Sequence, residues 1–232
     1  MNYDVKTILA QHFLFEQLSA DNIEALAKLA STRTYRKTEV VFMKGDSGDA
    51  LMAVLSGRIR ICSYSADGRE VVLNVMNPGE VFGEIAMIDG GPRTADAFAM
   101  EKTELLILAR REFMPFLERN PQISVKLLQV MCERLRWTSS QVEDFFFLHL
   151  GPRLAKRLLY LATHQKSKTN VSETAAIRFP QHLLASMIGT SREAVNKQLR
   201  AWQEAGLIDI HRGSITLINR EALEDVVDEG EL

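Results

Sequence analysis

The sequence predicts an α+β chain in which an N-terminal β-roll, a small jelly-roll-like barrel, is followed by one long helix and a C-terminal winged helix-turn-helix. Three observations predict it. Residues 32 to 108 break into short apolar runs separated by glycine turns, the rhythm of a closed all-β domain. Leu128, Leu135 and Val142 then recur every seven residues in a stretch without glycine or proline. Near the C-terminus, Gly189 separates two helical patterns and an alternating hairpin pattern follows them.

Residues 4 to 30 read as short helices, with Ile23, Leu26, Ala27 and Ala30 at helical spacing behind a Ser19-Ala20-Asp21 cap. Strands are expected at residues 40–42, 51–55, 58–64, 70–76, 95–99 and 103–108, joined by turns such as Gly45-Asp46-Ser47-Gly48 and Asn77-Pro78-Gly79. Residues 82–95 form the longest break in that regularity, and long loops on rigid scaffolds tend to carry function. After a short helical piece at 111–119, Asn120 caps and Pro121 opens a long helix, since proline at the first helical position loses no hydrogen bond. That helix is expected to run to about His149, with Gly151-Pro152 ending it. At 1.5 Å per residue it spans about 40 Å, too long for one small barrel to pack. Interleaving Met131 and Phe145 with the heptad gives a two-stranded dimer seam of Leu128, Met131, Leu135, Val142 and Phe145, broken by the polar Thr138 and its neighbour Ser139. The alternative is a core helix within a single chain.

Leu154, Leu158 and Leu161 mark one helix face, a polar loop covers residues 165–172, and a short strand is expected around Ile177-Arg178-Phe179. Pro180 starts a helix that runs to Ile188, and Thr190-Ser191-Arg192-Glu193 opens a second one with capping-box spacing between Thr190 and Glu193. On that second helix Val195, Leu199 and Trp202 share one face, while Arg192, Glu193, Asn196, Lys197 and Arg200 share the other, with Ser191 at its start. Residues 207–210 and 215–218 make a wing whose tip carries Arg212. The expected domains are residues 1–120 for the roll, 121–150 for the long helix and 151–232 for the winged helix.

The net charge of −2 hides an asymmetry. Residues 151–220 hold 11 basic against 4 acidic residues, whereas residues 221–232 hold 6 acidic and no basic ones. A basic block around a capped helix points to double-stranded DNA as partner: arginine reads guanine, glutamate accepts from cytosine, and lysine serves guanine or phosphate. Arg212 would touch phosphate. A solvated charged face is the ordinary alternative.

The loop reads Phe82-Gly83-Glu84-Ile85-Ala86 and, further on, Pro92-Arg93-Thr94-Ala95. Glycine lets backbone amides approach an anion, arginine offers a fixed fork of donors, and threonine adds a hydroxyl, the chemistry of a cyclic-phosphate pocket. Glu84 would then face a sugar hydroxyl. The plain alternative is a surface loop in which Arg93 pairs with Asp96 and Glu84 is solvated.

Cys62 and Cys132 lie far apart, and the five histidines are scattered, so no metal, haem or iron–sulfur cluster is expected. No nucleophile elbow, P-loop or metal signature appears, so no catalytic residue is assigned and no enzyme is expected. With no apolar run near 20 residues and no leader pattern, the expectation is a soluble cytoplasmic chain with no membrane contact.

With Gly-Glu-Ile-Ala and Arg-Thr-Ala in the loop, a long heptad helix, and Thr190-Ser191-Arg192-Glu193-Ala194-Val195, the chain resembles the cyclic-AMP receptor protein family of bacterial transcription regulators, which includes the catabolite activator and the fumarate-nitrate regulator. The resemblance spans nearly the whole length. It implies a cyclic-nucleotide-binding roll with phosphate-cassette positions at Gly83, Glu84, Arg93 and Thr94, and Thr138 and Ser139 touching the purine. It implies base reading by Arg192, Glu193 and Lys197, the last standing where arginine is typical. It further implies a homodimer on a palindromic operator, contact with RNA polymerase, and cyclic AMP or cyclic GMP as effector. A regulator of the same architecture with another ligand, or with none, is the alternative.

Overall fold

The computed structural model describes residues 5–164, 176–211 and 213–230. Two helices, α1 (Val5–Gln11) and α2 (Ala20–Leu29), lead into β1 (Ala30–Tyr35), β2 (Val40–Phe42), β3 (Ala50–Ser56), β4 (Ile59–Tyr64), β5 (Glu70–Met76) and β6 (Val81–Phe82). Next come α3 (Glu84–Asp89), β7 (Asp96–Ala99), β8 (Thr103–Ala109), α4 (Arg110–Arg119), α5 (Pro121–Phe147) and α6 (Leu150–His164). The chain ends with β9 (Ala176–Arg178), α7 (Gln181–Ile188), α8 (Arg192–Glu204), β10 (Ile208–His211), β11 (Ser214–Leu217) and α9 (Arg220–Asp228). It divides into two compact units, residues up to 134 and from 135 onward, so the division falls inside α5.

In the first unit, two antiparallel four-stranded sheets run in the orders β1-β8-β3-β6 and β2-β7-β4-β5. Side chains alternate across a strand, and β3 uses both faces. Met52 and Val54 join Ile59, Met76, Phe82 and Leu105 inside the roll. Leu51 and Ala53 point the other way, with Leu106 and Leu108 of β8, onto Leu26, Phe113, Ile123 and Leu127 of the helices. That is why β3 is apolar at nearly every position rather than alternating.

Several expectations need correction. The strand β1 was not anticipated, because Ala-Ser-Thr-Arg-Thr-Tyr is polar and mostly exposed; it pairs along its length with β8. Ala30, expected in the preceding helix, opens that strand. The break at residues 82–95 is not all loop, since α3 occupies its first half. Ser191 rather than Thr190 caps α8, accepting the Ala194 amide at 3.1 Å, because the Thr190 amide closes the preceding turn onto the Ala185 carbonyl. The long helix stops at Phe147, and Gly151-Pro152 sit in the first turn of α6, where proline has no intrahelical bond to lose. Asn120 precedes α5, but its side chain accepts from Asn22 and donates to the Phe116 carbonyl, joining α2 to α4. The polar loop expected at 165–172 lies outside the described residues.

His12 is buried between Phe13 and Phe15, and its Nδ1 accepts the Leu14 amide at 3.3 Å. Burial drives its pKa down to about 4, only partly opposed by the nearby Gly79 backbone. The unfolded chain therefore binds the proton first as pH falls, and stability should decline between pH 6.5 and about 4. The loss should be on the order of 3 kcal/mol, at 1.36 kcal/mol per unit. Urea melts across that window should show the slope, and His12→Leu should flatten it.

In the second unit, Leu154, Leu158 and Leu161 of α6 are buried, as are Leu184 of α7 and Val195 and Leu199 of α8. A three-stranded antiparallel sheet is ordered β10-β11-β9, and β10 and β11 form the expected hairpin with Ile208 opposite Leu217. The last helix, α9, was not anticipated; Asn219 caps it by accepting the Ala222 amide.

Candidate functional site

Gly83 ends β6 and turns the chain into α3 with φ +79, a left-handed conformation that glycine tolerates. A Cβ there would lie 2.5 Å from Nη1 of Arg93, so the same glycine also makes room for the guanidinium. Arg93 is only 5 % exposed. Its Nη1 donates to the Gly83 carbonyl at 2.8 Å, its Nη2 donates to the Ala50 carbonyl at 3.0 Å, and the plane lies 4.3 Å from the Phe42 ring centroid. A guanidinium has five N–H donors, and here Nε is buried with no acceptor. Burial lowers the Arg93 pKa, opposed by the nearby carboxylates of Asp49, Glu84 and Asp46. Asp96, its partner in the surface-loop reading, instead accepts the Lys44 amide at 2.6 Å.

Glu84 is buried rather than solvated. Its Oε1 pairs with Nη1 of Arg134 at 2.6 Å, while Oε2 is buried with no hydrogen-bond partner. Arg134 lies on α5 and also donates to the Val81 carbonyl and the Met76 sulfur, so it ties the helix to the rim of the roll beside Glu84. Sequence reasoning missed Arg134, which stands four residues before Thr138. A buried donor orphaned on Arg93 and a buried acceptor orphaned on Glu84 suit a ligand that brings both an anionic oxygen and a hydroxyl. Thr94 and Ile85 are exposed at this loop, whereas Ala86 is buried. The first amides of α3 have no carbonyl of an earlier turn to bond.

On α8, Val195, Leu199 and Trp202 are buried while Arg192, Glu193, Lys197 and Arg200 are exposed. Asn196 is half-buried, with its Oδ1 unpartnered. The Ser191 side chain is engaged in the cap, and hydrogen bonds from the Glu193 backbone and from Ser191 hold the Glu193 carboxyl below its usual range. Glu193 is thus an anion and an acceptor at neutral pH. Arg212 lies outside the described residues.

Along α5 the side chains of Leu128, Leu135, Val142 and Phe145 are exposed, as are Val125 and Phe146 beside them. Met131 packs instead against the core shared by the helices and the roll. Thr138 and Ser139 are exposed. Among the described residues no group of histidine, cysteine, aspartate and glutamate side chains is placed to hold a metal ion, and no helix is long and apolar enough to cross a membrane.

Residues 32–120 match the cyclic nucleotide-binding domain family, and residues 152–226 match the Crp-like helix-turn-helix domain family. The chain is 32% identical to the CRP-like cAMP-activated global transcriptional regulator of Mycobacterium tuberculosis, over 93% of its own length and 96% of that protein's. It is 30% identical to the catabolite activator protein structure of Thermus thermophilus, covering 93% of this chain and 98% of that one with a TM-score of 0.53. It is also similar to the c-di-GMP responsive global regulator CLP of Xanthomonas campestris, at 25% identity and TM-score 0.73, over 86% of this chain and 99% of that one.

Proposed function

This chain belongs to the CRP/FNR family of transcription regulators, and from that premise we propose that it is a homodimer whose hold on a palindromic DNA operator is controlled by a cyclic nucleotide, cyclic AMP before cyclic GMP. The observation that carries this reading is the pair of orphaned buried atoms, Arg93 Nε and Glu84 Oε2, gathered at Gly83, which Glu84 follows in the chain and whose carbonyl accepts from Arg93. A cyclic nucleotide supplies a singly charged phosphate and a ribose hydroxyl held at fixed separation by its fused rings. The phosphate would take the Arg93 Nε–H, the Thr94 hydroxyl and the amides at Gly83 to Ala86; the ribose hydroxyl would donate to Glu84. Because Glu84 is paired with Arg134, ligand binding bears on α5. Thr138 and Ser139, just beyond Arg134 on that helix, are the proposed contacts for the purine. The three-part division of the chain, at residues 120 and 150, follows from this use of the long helix as an element of its own.

Association through Leu128, Leu135, Val142 and Phe145, with Met131 at the margin, would cover the exposed apolar stripe and give the operator its two-fold symmetry. Ser191, Arg192, Glu193, Asn196, Lys197 and Arg200 would enter the major groove, and Arg212 would hold phosphate. RNA polymerase is the proposed protein partner and the cytoplasm the proposed setting.

Calorimetry with cyclic AMP, cyclic GMP and cyclic di-GMP side by side tests the effector, with operator binding by fluorescence anisotropy as the second readout. Heat from none of the three would overturn the reading. For DNA, Arg192→Ala should cost about 1–3 kcal/mol on the preferred duplex and relax discrimination at one base pair per half-site. Removing Arg212 should weaken all duplexes alike and lower the salt slope by about one unit. Equal weakening of specific and scrambled duplexes by Arg192→Ala would show that α8 is an electrostatic contact only.

A further inference from the structure

The last turns of α5 carry a second set of contacts beside the apolar stripe, sharing Phe145 with it. Trp137, Gln141, Asp144 and Phe145 follow one another at helical spacing and all meet α6. The Trp137 and Tyr160 rings are stacked with centroids 4.0 Å apart, and the Arg157 guanidinium lies 4.9 Å from the Trp137 centroid and 6.0 Å from that of Tyr160. Arg157 Nη2 donates to Gln141 Oε1 at 2.5 Å, Lys156 pairs with Asp144 at 2.6 Å, and Arg153 lies 5.4 Å from the Phe145 centroid. Arg157 is only 6% exposed, and it has no ion pair among the described residues. Its Nη1 and the Trp137 indole Nε1 are both buried without an acceptor.

A buried guanidinium with a neutral acceptor on one arm and none on the other costs stability that an apolar side chain of similar volume would not. Local conflicts of this kind are expected where function requires them. The position matters as well. Trp137 directly precedes Thr138, and α6 is the first helix of the segment matching the Crp-like helix-turn-helix family.

We propose that the Trp137–Arg157–Tyr160 stack is the joint that passes ligand occupancy at Thr138 and Ser139 to the winged helix. This rests on the functional reading given above. The stack fixes the angular position of α6 on α5, so a turn of α5 about its axis carries α6 with it. The two unsatisfied donors keep the joint from being a deep energy minimum, so α6 retains a second arrangement within reach. A helix seated by leucine packing alone would be stable but would lack that second position.

The test uses the full-length protein and measures operator affinity with and without saturating cyclic AMP, cyclic GMP or cyclic di-GMP, alongside calorimetry without DNA. In Arg157→Met and in Gln141→Leu, nucleotide affinity without DNA should stay within about threefold of wild type, while the ratio of operator affinities should collapse to within about threefold of one, against the roughly 5–150-fold typical of allosteric coupling. Gln141→Leu removes the hydrogen bond from the less buried side, so the question is still answered if Arg157→Met does not fold. In a Trp202→Phe background, which leaves Trp137 as the sole tryptophan, the emission should shift on nucleotide addition with the calorimetric midpoint. A wild-type ratio that responds to nucleotide and stays unchanged in both variants overturns the joint alone. A wild-type ratio of one with all three nucleotides overturns the effector reading and the joint with it.

Discussion

Replacing Arg93 with alanine is expected to abolish cyclic-nucleotide binding in calorimetry, a loss of about 2–5 kcal/mol for a desolvated charge-assisted contact. The structure adds a second consequence. Arg93 also donates to the Gly83 and Ala50 carbonyls, so alanine leaves two backbone acceptors in need of partners and should lower stability by about 1–3 kcal/mol for each one left buried. Arg93→Lys separates the two effects. Lysine keeps the charge but has no planar fork, so it cannot hold both carbonyls and still present a donor in the place of Nε. Binding should weaken strongly in Arg93→Lys, with a smaller drop in melting temperature than in Arg93→Ala. Unchanged affinity in both variants would remove the phosphate from this loop.

Leu135→Asp is expected to convert the proposed dimer to monomer in sedimentation equilibrium. In the single chain Leu135 is 69% exposed, so the substitution removes almost nothing from the folded monomer, and surface changes of that kind stay near zero. Across a two-fold seam each leucine occurs twice, and losing two buried side chains costs roughly 3–6 kcal/mol, before the repulsion of two facing carboxylates is counted. The winged helix should then keep its fold while operator binding falls, since one recognition helix reads only one half-site. A Leu135→Asp protein that still sediments as a dimer places the interface elsewhere.

Arg93 and Glu84 stand out in the sequence because glycine, arginine and carboxylate in one short stretch are costly to arrange without a use for them. Their environment was not legible. The loop reading expected Glu84 open to a sugar and Arg93 open to a phosphate, but each already holds protein partners and presents one unmatched atom. Arg134 escaped notice because nothing local marks it: Arg136 on the same helix carries the same charge, and only the approach of α5 to β6 decides which arginine reaches Glu84. The polar strand β1 escaped for a related reason. Its pairing with β8 is a backbone interaction, and backbone pairing leaves no apolar period to read.

By itself, the sequence determined what depends on neighbours a few residues apart: the short glycine-bounded runs of β3 to β5, the left-handed turn at Gly189, the buried stripe of α8 and the exposed heptad of α5. Period and turn chemistry are short-range, so a single chain carries them in full. Only the tertiary structure decided which face of α5 turns Met131 inward, that Arg93 and Glu84 are buried together, and that Trp137 stacks on Tyr160 with Arg157 against both. Those pairings join residues far apart in the chain. They are set by sheet order and helix approach, which settle the choice among side chains whose local chemistry is the same.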